Sequence, residues 1–117
     1  MSDQDSPYGL SNVQYDEASR ATLARIELTV DRWLEEDVVD IDTARSGGML
    51  TLTLPNRSQL IVNAQPPLHE LWLAARRGGF HFRLDSAGQW RDTRTSEEFF
   101  TLLSACASEQ SIPGLQF

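Results

Sequence analysis

The sequence is poor in the residues that cross-link a fold or carry it into a membrane. It has one cysteine, two histidines and, among its ten basic residues, no lysine. The single cysteine, Cys106, excludes an internal disulfide and is typical of a reducing compartment. No apolar run approaches the roughly 20 residues that a transmembrane helix needs, and the first residues lack the basic start and apolar middle of a signal peptide. We therefore expect a cytoplasmic protein without a membrane partner.

Positive charge is scarce in the first third of the chain. Residues 1–42 hold 11 acidic and 3 basic side chains, residues 43–117 hold 6 and 7, and the net charge of the whole chain is −7. Because an acidic surface repels the phosphate backbone, we expect no nucleic-acid partner. The sequence also has no Ser/His/Asp arrangement and no phosphate-binding loop, so no catalytic residue is predicted.

The length of 117 residues predicts one domain with a core of its own. Residues 1–12 are rich in Ser, Asp and Gln, a composition that predicts a flexible N-terminal arm. The patterned domain covers residues 13–110. Residues 111–117 contain the helix breaker Pro113-Gly114 and are expected to form a C-terminal tail.

The middle of the chain alternates between apolar and polar residues, as half-buried strands do. Leu50, Leu52 and Leu54, for example, are separated by threonines. Turn residues at Pro55-Asn56-Arg57-Ser58 and at Gly78-Gly79 separate the successive runs. The four runs cover residues 50–54, 59–63, 68–74 and 80–84. Hairpin-length links between them predict an antiparallel meander.

Two further strands and two helices complete the predicted fold. A first strand is expected at Asp40-Ile41-Asp42-Thr43 and a last one around Trp90. One helix runs from about residue 13 to about residue 36. The other begins at Thr95, where Thr95-Ser96-Glu97-Glu98 matches a capping box, and turns Phe99, Leu102, Leu103 and Cys106 to the core. This order predicts an α+β two-layer sandwich, in which an antiparallel sheet of about six strands carries both helices on one face.

Seven carboxylates crowd the end of the first helix and the strand that follows it. They are Glu27, Asp31, Glu35, Glu36, Asp37, Asp40 and Asp42. Like charges four residues apart on a helix destabilise it by a few tenths of a kcal/mol per pair. Carboxylates in the last turn also oppose the helix dipole, at about 0.3–1 kcal/mol each. The position of these residues therefore lowers the stability of the helix.

Two interpretations of the acidic stretch stay open. It could be a solvated face that keeps the protein soluble and protects an edge strand from pairing. It could instead bind a cation or a basic partner, and its all-oxygen ligands would suit hard ions such as iron, manganese, calcium or magnesium. Neither histidine lies in the stretch and no EF-hand spacing is present, so a metal site there would be open and shallow.

The outer face of the sheet is expected to carry Trp72. If Leu71 and Leu73 point inward, strand parity places Trp72 on the solvent side, together with Asn63 on the neighbouring strand. An exposed tryptophan is often the anchor of a protein contact. The alternative is that Trp72 packs against Pro66 or Pro67. His69, His81 and Cys106 are interpreted as ordinary surface, turn and core residues.

An ordered set of motifs runs through this region. It consists of Gly47-Gly48-Met49-Leu50-Thr51-Leu52-Thr53, Ile61-Val62-Asn63, Gln65, Pro67-Leu68-His69, Trp72-Leu73-Ala74, Gly78-Gly79-Phe80-His81-Phe82 and Trp90. The set closely resembles the bacterial frataxins, the CyaY family, and the likeness extends from about Tyr15 to about Glu109. The resemblance implies the same helix–sheet–helix fold.

The resemblance also implies a function. Frataxins bind iron (Fe²⁺ or Fe³⁺) weakly along a ridge that corresponds to the seven carboxylates, and they modulate iron–sulfur cluster assembly. The matching positions Asn63, Gln65 and Trp72 are implied to contact a cysteine desulfurase and an iron–sulfur scaffold protein. The chain would act as a regulator of the desulfurase, as an iron donor or as both. It would be a monomer that can form oligomers with iron.

Two alternatives to this function stay open. Some family members are credited with ferroxidase or iron-storage activity in an oligomer, although this chain lacks the Glu-x-x-His pairs of buried di-iron sites. The other alternative is an acidic protein-interaction module unrelated to iron.

Overall fold

The computed structural model describes residues 10–117, so most of the predicted N-terminal arm lies outside the described residues. In chain order the elements are α1 (Asn12–Glu35), β1 (Asp42–Ser46), β2 (Met49–Thr53), β3 (Gln59–Gln65), a 3-10 turn (Pro66–Leu68), β4 (Glu70–Ala75), β5 (Gly78–Leu84), β6 (Trp90–Asp92) and α2 (Phe99–Gln110). No helix in this range is long and apolar enough to cross a bilayer.

The six strands form one antiparallel sheet in which every strand lies beside its neighbours in sequence. Leu52 pairs with Leu60, and Val62 with Leu73, so these inward positions stack across the strands. They join Ile26 of α1 and the apolar side chains of α2 in one buried cluster. Both helices therefore cover the same face of the sheet, and the predicted α+β sandwich is confirmed.

The ends of α1 show how its sequence sets its length. Ser11 and Gln14 form a reciprocal capping box at the N-terminus, with hydrogen bonds of 2.9 and 3.0 Å. At the other end, the Val38 N–H donates to the carbonyl of Trp33 and the Asp37 N–H to that of Leu34, at 2.8 and 3.2 Å. This is a Schellman motif, whose left-handed residue is usually glycine. Here Asp37 takes that conformation, with φ of 57°.

The predicted start of α2 is wrong. The helix begins at Phe99, and its N-cap is Glu98, whose carboxylate accepts from the N–H groups of Phe100 and Thr101. The buried Asp92 explains the delay, because its carboxylate accepts from the N–H groups of Arg94 and Thr95. These bonds hold residues 92–95 in a turn that competes with helix formation.

Two other boundaries differ from the prediction by a few residues. β1 begins at Asp42, so Ile41, although buried, precedes the strand. The reversal between β4 and β5 falls at residues 76–77, and Gly78 begins the next strand, where its φ of 150° suits a residue without a Cβ.

The last residues of the chain pack onto both helices. Leu115 is buried, and the Phe117 ring meets that of Trp33 edge-on at 4.8 Å. The Phe117 N–H also donates to the hydroxyl of Ser104 at 2.9 Å. Residues 111–117 thus extend the core beyond the end of α2.

Candidate functional site

The seven predicted metal-binding carboxylates lie along one continuous edge of the molecule, which we call the acidic ridge. Glu27, Asp31 and Glu35 are on α1, and Glu36 is its C-cap. Asp37 and Asp40 belong to the connection, and Asp42 is the first residue of β1. The structure therefore places all seven between the C-terminal half of α1 and the first residue of the edge strand β1.

The ridge is an open surface. Glu27 is paired with Arg45 at 2.6 Å, and both side chains are about one-third exposed. The other six carboxylates make no ion pair or side-chain hydrogen bond within residues 10–117. No three of the described His, Cys, Asp or Glu side chains come close enough together to hold a metal ion. Any bound cation would therefore keep most of its water ligands.

Large apolar side chains are interleaved with the ridge. Leu28 is 67% exposed, Leu34 is 54% exposed and Val38 is 51% exposed. Leu34 and Leu28 lie on either side of Asp31 on the helix surface, at the three-residue spacing that makes helical neighbours. The ridge therefore offers both negative charge and apolar area.

The three predicted partner-binding residues come together on the outer face of the sheet. Asn63 is directly opposite Trp72, and Gln65 is opposite Glu70. On the other side of β4, His81 is opposite Trp72 and Arg83 is opposite Glu70. We call these six residues the outer-face patch. They form two adjacent rows across β3, β4 and β5.

Trp72 does point outward, as strand parity predicts, since Leu71 and Leu73 on either side of it are fully buried. Its ring stacks on that of His81, with centroids 4.1 Å apart and planes 6° from parallel. Its indole Nε1 donates to Glu70 Oε1 at 2.8 Å. Trp72 is therefore held on this face by His81 and Glu70.

The side-chain amides of Asn63 and Gln65 stand next to this pair without a hydrogen bond inside the described part of the chain. Both side chains are half-buried. Every buried side-chain nitrogen and oxygen atom between residues 10 and 117 has a hydrogen-bond partner. The amides of Asn63 and Gln65 are therefore among the polar groups of this face that are available to a partner.

Glu70, His81 and Arg83 were missing from the predicted site. Glu70 could have been found from its parity, because it lies two residues before Trp72 on the same strand. The positions of His81 and Arg83 depend on the register of β5 against β4. This register could not be predicted, because the turn between the two strands lies at residues 76–77 and not at Gly78-Gly79. His69 also has partners within the fold. Its ring stacks on that of Tyr15, with centroids 4.9 Å apart, and its Nε2 forms a hydrogen bond with Asn12 Oδ1.

Cys106 has the environment expected of an inert core thiol. It is fully buried on α2. Burial, which disfavours the thiolate, raises the pKa of this thiol above its usual range.

A family model described as a frataxin-like domain matches residues 8–112. The chain belongs to the frataxin-like family. An iron-sulfur cluster assembly protein CyaY from Delftia acidovorans is 52% identical over 103 residues, covering 87% of this chain and 91% of that protein. The CyaY protein of a Polaromonas species is 47% identical over 108 residues, with 92% of each chain covered.

Solved frataxins share the fold. The frataxin of Psychromonas ingrahamii superposes with a TM-score of 0.65 at 37% identity, over 83% of this chain and 90% of that one. A trimeric frataxin from the yeast Saccharomyces cerevisiae, complexed with ferrous iron, has a TM-score of 0.66 at 24% identity, over 79% and 83% of the two chains. At that identity the yeast protein supports the likeness of fold alone.

Proposed function

We propose that this frataxin-like chain binds iron weakly and modulates iron–sulfur cluster assembly by contacting a cysteine desulfurase and its scaffold protein. The observation that carries the proposal is the convergence of Asn63, Gln65 and Trp72 in one patch of the outer face. Relatives that are called iron-sulfur cluster assembly proteins cover almost the whole chain, which supports the same role here.

Two surfaces contribute to this function, the outer-face patch and the acidic ridge. The outer-face patch supplies an aromatic ring and two amides that make no hydrogen bond within residues 10–117, and these groups suit a protein surface with exposed backbone groups. The acidic ridge supplies the negative charge, and its carboxylates attract cations over a distance set by the salt concentration. Iron is cargo on this ridge, held by oxygen atoms that are too spread out to enclose it.

The exposed apolar residues of the ridge favour a protein as its second ligand. Leu28, Leu34 and Val38 would lower the affinity of a purely ionic site but can pack against the aliphatic stems of arginine side chains. We propose that an arginine-rich surface of the desulfurase meets the ridge. The electrostatic part of this contact would chiefly accelerate association, and added salt would slow it.

The outer-face contact is tested with Trp72→Ala. We expect the variant to stay folded, because Trp72 touches Glu70 and His81 rather than the core, and to bind the desulfurase–scaffold complex at least about tenfold more weakly, as an aromatic anchor does. Circular dichroism and titration calorimetry measure the two properties. Thr51→Ala, on the same face but two strands from β4, is the control. Equal affinities for the two variants would contradict the proposed contact.

Iron binding is tested with the double variant Asp31→Asn, Glu35→Gln. Anaerobic titration with ferrous iron should shift the amide NMR signals of the end of α1 and the start of β1 in the native protein, and these shifts should need more iron in the variant. The control is the double variant Asp16→Asn, Glu17→Gln, which neutralises two exposed carboxylates at the opposite end of the same helix. Shifts that need no more iron in the double variant than in the native protein, or shifts of equal size elsewhere in the chain, would contradict a site on the ridge.

A further inference from the structure

Glu70 is a buried carboxylate on the solvent side of the sheet. Its side chain is only 8% exposed, although it lies on the outer face with Trp72. The hydroxyl of Tyr15, from α1, donates to the Glu70 carbonyl oxygen at 2.7 Å and fixes the backbone at this point. Burial of a carboxylate lowers stability unless hydrogen bonds compensate for the lost water.

Three neighbouring side chains provide that compensation. Trp72 Nε1 lies 2.8 Å from Glu70 Oε1, and Arg83 Nε lies 3.1 Å from Oε2. His81 Nδ1 is 3.5 Å from Oε1. The indole of Trp72 is thus held at two places, by the carboxylate at its N–H and by the His81 ring over one of its faces.

We propose that Glu70 is a positioning residue, which fixes the indole of Trp72 in one orientation before the protein partner arrives. The inference rests on the proposed function of the outer-face patch. Fixing an aromatic side chain in advance removes an ordering cost of about 0.5–1.5 kcal/mol, which corresponds to about a twofold to tenfold gain in affinity. His81 assists by restricting the tilt of the ring.

The arrangement also defines what the partner can offer to Trp72. The indole N–H is already donated to Glu70, so a hydrogen-bond acceptor on the partner gains nothing there. One face of the ring is covered by His81, which leaves the opposite face and the ring edge. The matching partner group is therefore one that packs on a ring, either apolar or planar, and its neighbouring backbone groups would bond the amides of Asn63 and Gln65.

The test compares Glu70→Ala with Glu70→Gln in the full-length chain. Two readouts are the indole N–H signal of Trp72 in ¹⁵N NMR, identified by its loss in Trp72→Phe, and the affinity for a purified cysteine desulfurase–scaffold complex. In Glu70→Ala, we expect faster exchange of this N–H with water and about twofold to tenfold weaker association. Glu70→Gln keeps an oxygen acceptor for the indole, so both readouts should stay near those of the native protein. Glu97→Gln, an exposed carboxylate on a loop, is the control.

Several results would overturn the inference. One is an unchanged Trp72 signal in Glu70→Ala. Another is an equal loss of affinity in the Gln variant, which would show that the charge opposite Arg83 matters rather than the indole. If Glu70→Ala does not fold, Glu70→Leu takes its place, because it keeps most of the side-chain volume but offers the indole N–H no acceptor, and it should weaken association by the same factor. If Trp72→Ala itself binds normally, the proposed function fails, whereas the indole signal of the free protein still reports on the positioning.

Discussion

At the residue scale, Asp37 combines a left-handed backbone with a negative charge at the negative end of a helix. Its φ of 57° would suit glycine better, because a Cβ in this region clashes with the next carbonyl. Its carboxylate adds to the charge that already opposes the helix dipole. Both effects lower the stability of the end of α1.

We expect Asp37→Gly to raise the free energy of unfolding by about 1 kcal/mol, since it removes the clash and the charge together. Urea unfolding at low salt measures the change. Asp37→Asn is the matched control, because it removes the charge alone and should gain only a few tenths of a kcal/mol. The same gain in both variants would show that the backbone conformation carries no strain.

Tyr15 makes the free energy of unfolding depend on pH in the alkaline range. Burial is the main reason that the pKa of Tyr15 rises from 10.0 to about 12. The folded protein therefore keeps a proton that the unfolded chain releases above pH 10. The contribution of Tyr15 to the free energy of unfolding is therefore fully present below pH 10 and is lost as the pH rises towards 12.

We expect Tyr15→Phe to be less stable than the native protein at pH 8 by about 1 kcal/mol, because it loses the hydrogen bond to Glu70. Between pH 10 and 12 the native protein should then lose about 2–3 kcal/mol that the variant does not lose. Urea unfolding at a series of pH values measures both. Parallel pH profiles would show that Tyr15 ionises equally in the two states.

At the element scale, the segment after α2 is part of the core. Leu115 is 5% exposed although it lies beyond the last helical residue, Gln110. The side chain of Gln110 also holds two turns in place, since it accepts from the Arg76 N–H and donates to the Ser58 hydroxyl. The end of α2 thus joins the helix layer to the sheet.

We expect Leu115→Ala to lower the free energy of unfolding by about 2 kcal/mol or more, as removal of a buried leucine usually does. Thermal unfolding measures the loss. Gln116→Ala, the exposed neighbour, should change stability by less than about 0.5 kcal/mol. If Leu115→Ala is as harmless as its control, the C-terminal residues do not close the core in solution.

Most of the elements could be predicted because their patterns are local. The alternation of Leu50, Leu52 and Leu54 depends only on adjacent residues, and the sheet follows it. The cap of α2 could not be predicted, because the buried Asp92 accepts hydrogen bonds from the N–H groups of Arg94 and Thr95 and so holds them in a turn. The surroundings of Trp72 depend on the register of β5, which is a property of strand pairing rather than of sequence spacing.

At the scale of the whole molecule, the charge is unevenly distributed. The excess of negative charge in residues 1–42 is concentrated in the acidic ridge, where only Glu27 has an ionic partner within residues 10–117. Mutual repulsion of the other carboxylates raises the free energy of the folded state. Salt weakens this repulsion over a distance of about 10 Å at 0.1 M.

We expect Asp31→Asn with Glu35→Gln to raise the stability of the iron-free protein by about 0.5–1 kcal/mol at low salt, and by less in 0.5 M NaCl. Denaturant unfolding at the two salt concentrations measures the difference. Glu17→Gln, in the N-terminal half of the same helix, should have little effect. A loss of stability in the double variant would mean that these side chains accept hydrogen bonds that hold the fold.

The sequential order of the strands has a consequence for the nascent chain. Each strand pairs only with its neighbours, so each hairpin closes a short loop and can form as soon as its second strand has been made. The layer of helices cannot cover the sheet so early, because α2 follows all six strands in the chain. Until then α1, which is synthesised first, has an apolar stripe without its full set of contacts, and the negative charge at its end would help to keep the growing chain from aggregating.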